Sequence, residues 1–239
     1  MSSTPLPKPS AEIALIDTPA RWEERSANRV LETGRDQLLE RSRKIVEAAY
    51  GLLEEEGLEG LTIRAVLTKT GLSRRAFYER FEGKDDLVLA VFEQTIRMAT
   101  RLFSEQMAAL TDPMERLKLI VTCIVLGKSS LPAAEGAPNS RRGAALSQEH
   151  LRLAESRPHD LQMALSPLIA LIANQLADGM AVGAVRQDNP QRLAALVYNL
   201  VSTTVHTELL APESAQPDLA DRTQLANDIW EFCRRAISA

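Results

Sequence analysis

An apolar periodicity of 3.6 residues recurs from Leu38 to Ala236 and never gives way to strict alternation. Apolar side chains three and four apart share one face of a helix, whereas a half-buried strand needs a period of two. Leu38, Ile45, Ala48, Ala49, Leu52 and Leu53 open the series, and Gly57 supplies a C-terminal stop. Thr62 and Ser73 suit the N-caps of two short helices, with Gly71 at the turn between them. Leu87, Val91, Ile96, Ala99, Leu102 and Phe103 mark a long helix from Lys84 to about Leu110, and Asp112-Pro113 opens the next. Ser129–Ser140 reads as a loop broken by Pro132, Gly136 and Pro138. A helix resumes near Arg141, and another over 160–177 is apolar nearly all round, with Pro167 expected to kink or restart it. Gly179 and Gly183 end that helix, and Asp188-Asn189-Pro190 caps one that runs to about Leu210. A loop with Pro212 and Pro217 leads to the last helix. The expectation is an all-α chain of about nine helices without strands.

Composition sets the remaining bounds. A chain of 239 residues, 45% hydrophobic and 25% charged, is long enough to bury a full core without staples. Its net charge of −4 disfavours a protein that coats polyanions through bulk charge. That charge is unevenly spread: residues 35–84 hold ten Lys/Arg against nine Asp/Glu, and residues 85–239 hold fourteen against eighteen. Cys123 and Cys233 show no metal spacing and are expected to be buried free thiols in a reducing compartment. Residues 1–20 carry Pro5, Pro7, Pro9 and Pro19 without an apolar stretch, so they read as a disordered tail rather than a signal peptide. Arg21, Arg25 and Arg29 then line one face of a partly helical segment, either a solvated linker or an arm for DNA. With no uncharged apolar run of 18 residues, no membrane span is expected, and the chain is read as cytoplasmic.

The segment Leu61–Leu87 carries the chemistry. Two short helices meet at a Gly-containing turn and are pinned by Ala65, Val66, Leu72, Ala76 and Phe77, the arrangement of a helix-turn-helix. Ser73-Arg74-Arg75 begins the second helix, the end at which recognition helices meet base edges. In order along the chain stand Ile45-Val-Glu-Ala48-Ala49, Gly57, Thr62-Ile-Arg64, Gly71-Leu-Ser73, Phe77-Tyr78-Glu-Arg-Phe81 and Lys84-Asp-Asp-Leu87. This constellation resembles the TetR family of bacterial transcriptional regulators. It covers residues 36–87 motif by motif and the remainder by helix order and length. Leu67 and Thr70 depart from the small alanines usual in the family, and Arg75 replaces a small residue.

The resemblance implies a helix-turn-helix domain over 35–84, preceded by an extension over 1–34 and followed by a ligand-binding and dimerisation domain over 85–239. It also implies DNA contacts. Arg64, Arg74 and Arg75 would read bases, because arginine pairs bidentately with guanine. Thr62, Ser73, Tyr78 and Lys84 would hold phosphates, Arg80 could do either, and Phe77 and Phe81 belong to the core. Family members dimerise through their last two helices, here with stripes Leu193, Leu196, Leu200 and Leu225, Ile229, Phe232. A two-fold dimer implies a palindromic operator on double-stranded DNA. Polar groups on otherwise apolar segments, Cys123, His150, Asn174, Tyr198, Asn199, Thr203 and His206, are the candidates to line an effector pocket for a hydrophobic small molecule. No cofactor, metal site or enzyme motif is read: His206-Thr-Glu208 lacks metal spacing, and neither a phosphate-binding glycine loop nor a nucleophile elbow occurs. The expected function is a homodimeric, ligand-responsive repressor. The alternative is a helical protein-interaction adaptor that keeps the fold but reads no effector.

Overall fold

The computed structural model describes residues 21–127, 141–209 and 218–239, with side chains described from residue 35 onward except 141–144 and 209. The proline-bearing tail, the Ser129–Ser140 loop and the loop with Pro212 and Pro217 lie outside the described residues. Nine helices occur among those residues. They are α1 (Arg21–Gly60), α2 (Ile63–Thr70), α3 (Arg74–Tyr78), α4 (Lys84–Met107), α5 (Pro113–Leu126), α6 (Arg141–Ser156), α7 (Pro158–Ala181), α8 (Pro190–Leu209) and α9 (Leu219–Ile237). The all-α expectation holds. The one β-type pairing among the described residues is an isolated bridge from Val185 to Ser238.

The chain divides into two compact units, Met1–Lys44 and Ile45–Ala239. In the first, helix begins at Arg21, earlier than the periodicity indicated. Ser42 Oγ donates to Leu38 O, and Leu38 itself is exposed rather than part of a core.

The second unit holds two hydrophobic clusters. One gathers Ile45, Ala49, Leu53, Leu61, Val66, Phe77, Leu87 and Val91. The other joins α4, α5, α7, α8 and α9 through residues such as Phe103, Ile120, Leu168, Ile172, Leu176, Val201 and Trp230. α4 contributes to both, Leu87, Val88 and Val91 to the first and Leu89, Phe92, Phe103 and Met107 to the second. α7 is the central helix, packed on α4, α5, α6 and α8. It is long and apolar enough to cross a membrane by composition alone, with a mean hydropathy of 1.2, but Leu161, Leu165, Leu168, Ile172 and Leu176 are buried in the bundle. That burial accounts for its apolarity.

Local chemistry explains the element ends. Thr62 and Ser73 cap α2 and α3 from extended backbone, accepting from Ala65 N and Ala76 N at 3.1 and 3.2 Å. Gly71 lies between them at φ 68°, where a side chain would be strained. Asp112 caps α5 through Met114 N, with Pro113 at the first helical position. Gly57 leaves helical geometry at φ 73°, so the expected stop is a break inside α1, which continues to Gly60. Pro167 does not divide α7. Its missing N–H deprives Met163 O of a donor, and the Ser166 hydroxyl donates to that carbonyl instead at 2.8 Å.

Candidate nucleic-acid interface

The α2–α3 motif presents the expected contacts unequally. Phe77 is fully buried and anchors the recognition helix, with Tyr78 edge-on at 5.3 Å and Phe81 at 5.6 Å between ring centroids. Tyr78 nevertheless remains 54% exposed, so its ring is held on one side while its face is open to a partner. Arg64, Arg74 and Arg75 are exposed, as are Thr62 and Ser73. Both hydroxyls accept from the helix backbone, and each keeps its own hydrogen to donate. Thr62 and Arg64 also line a shallow depression of about 390 Å³ with Leu52, Glu56, Ala65, Thr68 and Lys69.

Two expected contacts are engaged elsewhere. Arg80 turns inward: its side chain is 4% exposed, Nη1 donates to Ala76 O, and Glu79 lies 3.4 Å away. Its Nε is buried without a hydrogen-bond partner. In this geometry Arg80 is turned into the fold, against Ala76 and Glu79. Lys84 Nζ donates to Leu58 O at 2.9 Å and so satisfies a carbonyl near the end of α1.

Glu79 was not singled out from sequence. Its carboxylate divides between the exposed Arg75, at 2.9 Å, and the buried Arg80. The hydrogen bond from Arg75, aided by both cations, holds this carboxyl below its usual range. An i, i+4 Arg–Glu pair was legible in the sequence, but the inward turn of Arg80 was not.

The seven effector-pocket candidates separate. His150 on α6 and Tyr198 and His206 on α8 converge, with ring centroids of His150 4.4 Å from His206 and 6.3 Å from Tyr198. Phe92 of α4 joins them at 5.9 Å from His150. Asn174, Asn199 and Thr203 face outward. Cys123 is buried and its thiol donates to Gln106 Oε1 at 3.3 Å. Cys233 is also free and buried, and burial pushes its thiol up to about 11. No group of three or more His, Cys, Asp or Glu suited to a metal ion occurs among the described residues.

The expected dimer stripes divide as well. Leu193 and Ile229 are buried in their own core and Leu225 is half-buried there, whereas Leu196 of α8 is 59% exposed, Phe232 of α9 65%, and Leu200 of α8 is exposed as well. Phe232 borders a depression of about 590 Å³ with Asp228, Glu231, Arg235 and Ala236.

Residues 45–91, which span this motif and the start of α4, match the family model for bacterial regulatory proteins of the tetR family. Solved structures extend the likeness of fold to more than three quarters of the chain. A TetR-family transcriptional regulator from Pectobacterium atrosepticum superposes with a TM-score of 0.66 at 16% identity, covering 86% of this chain and 97% of its own. FadR from Bacillus subtilis, solved with stearoyl-CoA, gives 0.58 at 16% identity over 80% and 96% of the two chains. RolR in complex with resorcinol gives 0.63 at 14% identity over 85% and 90%. No curated protein matches this chain in sequence. The TetR-regulator fold therefore extends beyond residues 45–91, at identities that speak for the fold alone.

Proposed function

We propose that this protein is a sequence-specific, DNA-binding transcriptional repressor that acts in the cytoplasm as a homodimer on a palindromic operator and is released by a small molecule. The observation that carries the reading is the capped α2–turn–α3 unit. It lies inside a TetR-family module and leaves Arg74, Arg75 and Tyr78 exposed on the recognition helix. Arg74, Arg75 and Arg64 supply the base-reading donors, and Thr62, Ser73 and Tyr78 the phosphate contacts. In this reading residues 35–84 form the DNA-binding domain and 85–239 the effector and dimer domain. The exposed Leu196, Leu200 and Phe232 supply an apolar face on α8 and α9 for a second copy. Related two-fold repressors set their recognition helices about 34–36 Å apart, one turn of DNA. Effector response is supported by analogy with the resorcinol-bound and stearoyl-CoA-bound folds.

The test is selection of random duplexes on the purified full-length protein, with its mass in solution measured alongside. Enrichment of a palindrome by a dimer is the expected result. A stable dimer that enriches no site would overturn the reading in favour of a helical interaction adaptor.

A further inference from the structure

Three charged side chains on and beside the recognition helix form a line of contacts from the interior to the surface. The buried Arg80 donates from Nη1 to Ala76 O and lies 3.4 Å from Glu79 Oε2. Glu79 Oε1 in turn accepts from Arg75 Nε at 2.9 Å, and both of these side chains are open to solvent. The carboxylate is thus held by a buried arginine and itself holds an exposed one.

The groups left free on this pair are specific. Arg75 is engaged through Nε, and among the described residues its two Nη nitrogens have no partner. Those nitrogens are the end of the guanidinium fork that fits guanine O6 and N7. The hydrogen bond from Arg75, aided by the charges of both arginines, holds the Glu79 carboxyl below its usual range, so near pH 7 it can only accept. Its oxygens keep lone pairs beyond the two contacts. Side by side, the pair offers two donors and then an acceptor. The major-groove edge of a G·C pair offers the complement in the same order: acceptors at guanine N7 and O6, then the donor at cytosine N4. A C·G pair reverses that order, and an A·T pair sets adenine N6 against the guanidinium and thymine O4 against the carboxylate. A T·A pair matches in part, with one acceptor for Arg75 instead of two.

We propose that Arg75 and Glu79 read one base pair as a unit, guanine through the Arg75 Nη nitrogens and its paired cytosine through donation from N4 to Glu79, so that each operator half-site holds a G·C pair in one orientation. Glu79 is then a specificity-determining residue beside the arginines. The proposal deepens the DNA-binding reading above and rests on it.

The test starts from the duplex enriched by the full-length protein and places all four base pairs in turn at each half-site position, with affinity read by fluorescence anisotropy. One position is expected to prefer G·C in a single orientation by about tenfold or more. Arg75→Ala and Glu79→Ala should each bring that preference, and no other, to within about twofold, and the double variant should lose no more than either alone. Glu79→Asp keeps the charge but withdraws the carboxylate by one methylene, so the same preference should fall without a general gain in affinity. Should Glu79→Ala not fold because Arg80 loses a contact, Arg75→Ala and Glu79→Asp carry the test. Losses at different positions for the Arg75 and Glu79 variants overturn the proposal, and so does a full G·C preference in Glu79→Asp. A palindrome without a jointly read pair overturns it alone and leaves the repressor reading standing. A protein that enriches no duplex overturns both.

Discussion

At the scale of single residues, the recognition helix is a set of arginines with unequal freedom. Arg74 is exposed, Arg75 is 89% exposed but tied to Glu79 at 2.9 Å, and Arg80 is inside. An exposed ion pair contributes only about 0.2–1 kcal/mol to stability, so the meaning of Glu79 lies in where it holds Arg75. Glu79→Gln is expected to raise affinity for all duplexes by removing a negative charge from the DNA-facing helix. If Glu79 also positions Arg75, the change in sequence preference it causes disappears in an Arg75→Ala background. A preference change that persists there refutes positioning. Arg74→Ala should erase discrimination at one base pair, at about 1–3 kcal/mol. Lys84→Ala has a different signature from a simple phosphate contact. It removes the bond to Leu58 O, so a loss of thermal stability near 1 kcal/mol accompanies any uniform loss of binding. The caps Thr62 and Ser73 and the buried Phe77 were legible from spacing because each follows from local backbone chemistry. The burial of Arg80 was not, because a cation on a short helix reads as solvated until the neighbouring packing is known.

At the scale of elements, the sequence specified helices better than their faces. Every long helix was visible from period and caps, and Pro167 lies inside an undivided α7, where Ser166 donates to the carbonyl that lacks its helical donor. The inward placement of Leu193 and Ile229, against the outward Leu196 and Phe232, depends on which neighbour each helix meets. A single stripe cannot reveal that. The turn from α7 to α8 offers a sharp test. A Cβ on Gly179 would lie 2.5 Å from Val185 Cγ2, and Val185 is buried and paired with Ser238 at the end of α9. Gly179→Ala is expected to cost about 1–3 kcal/mol in denaturant unfolding, with part restored by adding Val185→Ala. Equal stability of the single variant and the parent would show that this turn yields freely. The α6–α8 contact carries a pH signature. His206 titrates near 4 in the fold against 6.5 in the unfolded chain. Between those values the unfolded chain binds the extra proton, so stability is full above pH 6.5 and falls as pH drops toward 4. With the ring half-exposed, about 1–2 kcal/mol is expected, and His206→Phe should flatten the melting temperature over that window.

At the scale of the molecule, the larger hydrophobic cluster must communicate with the recognition helix if an effector is to release DNA. α4 is common to both hydrophobic clusters: Phe92 belongs to one, and Val91, its neighbour in sequence, belongs to the other with Phe77 and Leu87. α6 offers a second link. Its Arg152 pairs with the buried Glu149 and also reaches Asp85 in the first turn of α4 at 3.4 Å, next to Lys84 and the end of the helix-turn-helix. Ala145 and Leu146 of α6 pack against the helix-turn-helix cluster as well. α6 thus touches both clusters, and coupling between sites of about 1–3 kcal/mol is typical. The two routes make different demands. If the charged link matters, Asp85→Asn should leave the separate affinities for duplex and for a small-molecule effector within about twofold, yet cut the effect of one on the other by about two- to fivefold, the worth of one partly exposed ion pair. If packing along α4 carries the coupling, Asp85→Asn changes nothing and Val91→Ala weakens coupling together with stability. Measuring effector affinity with and without a saturating duplex decides between them, because linkage requires the duplex to feel the ligand by the same factor.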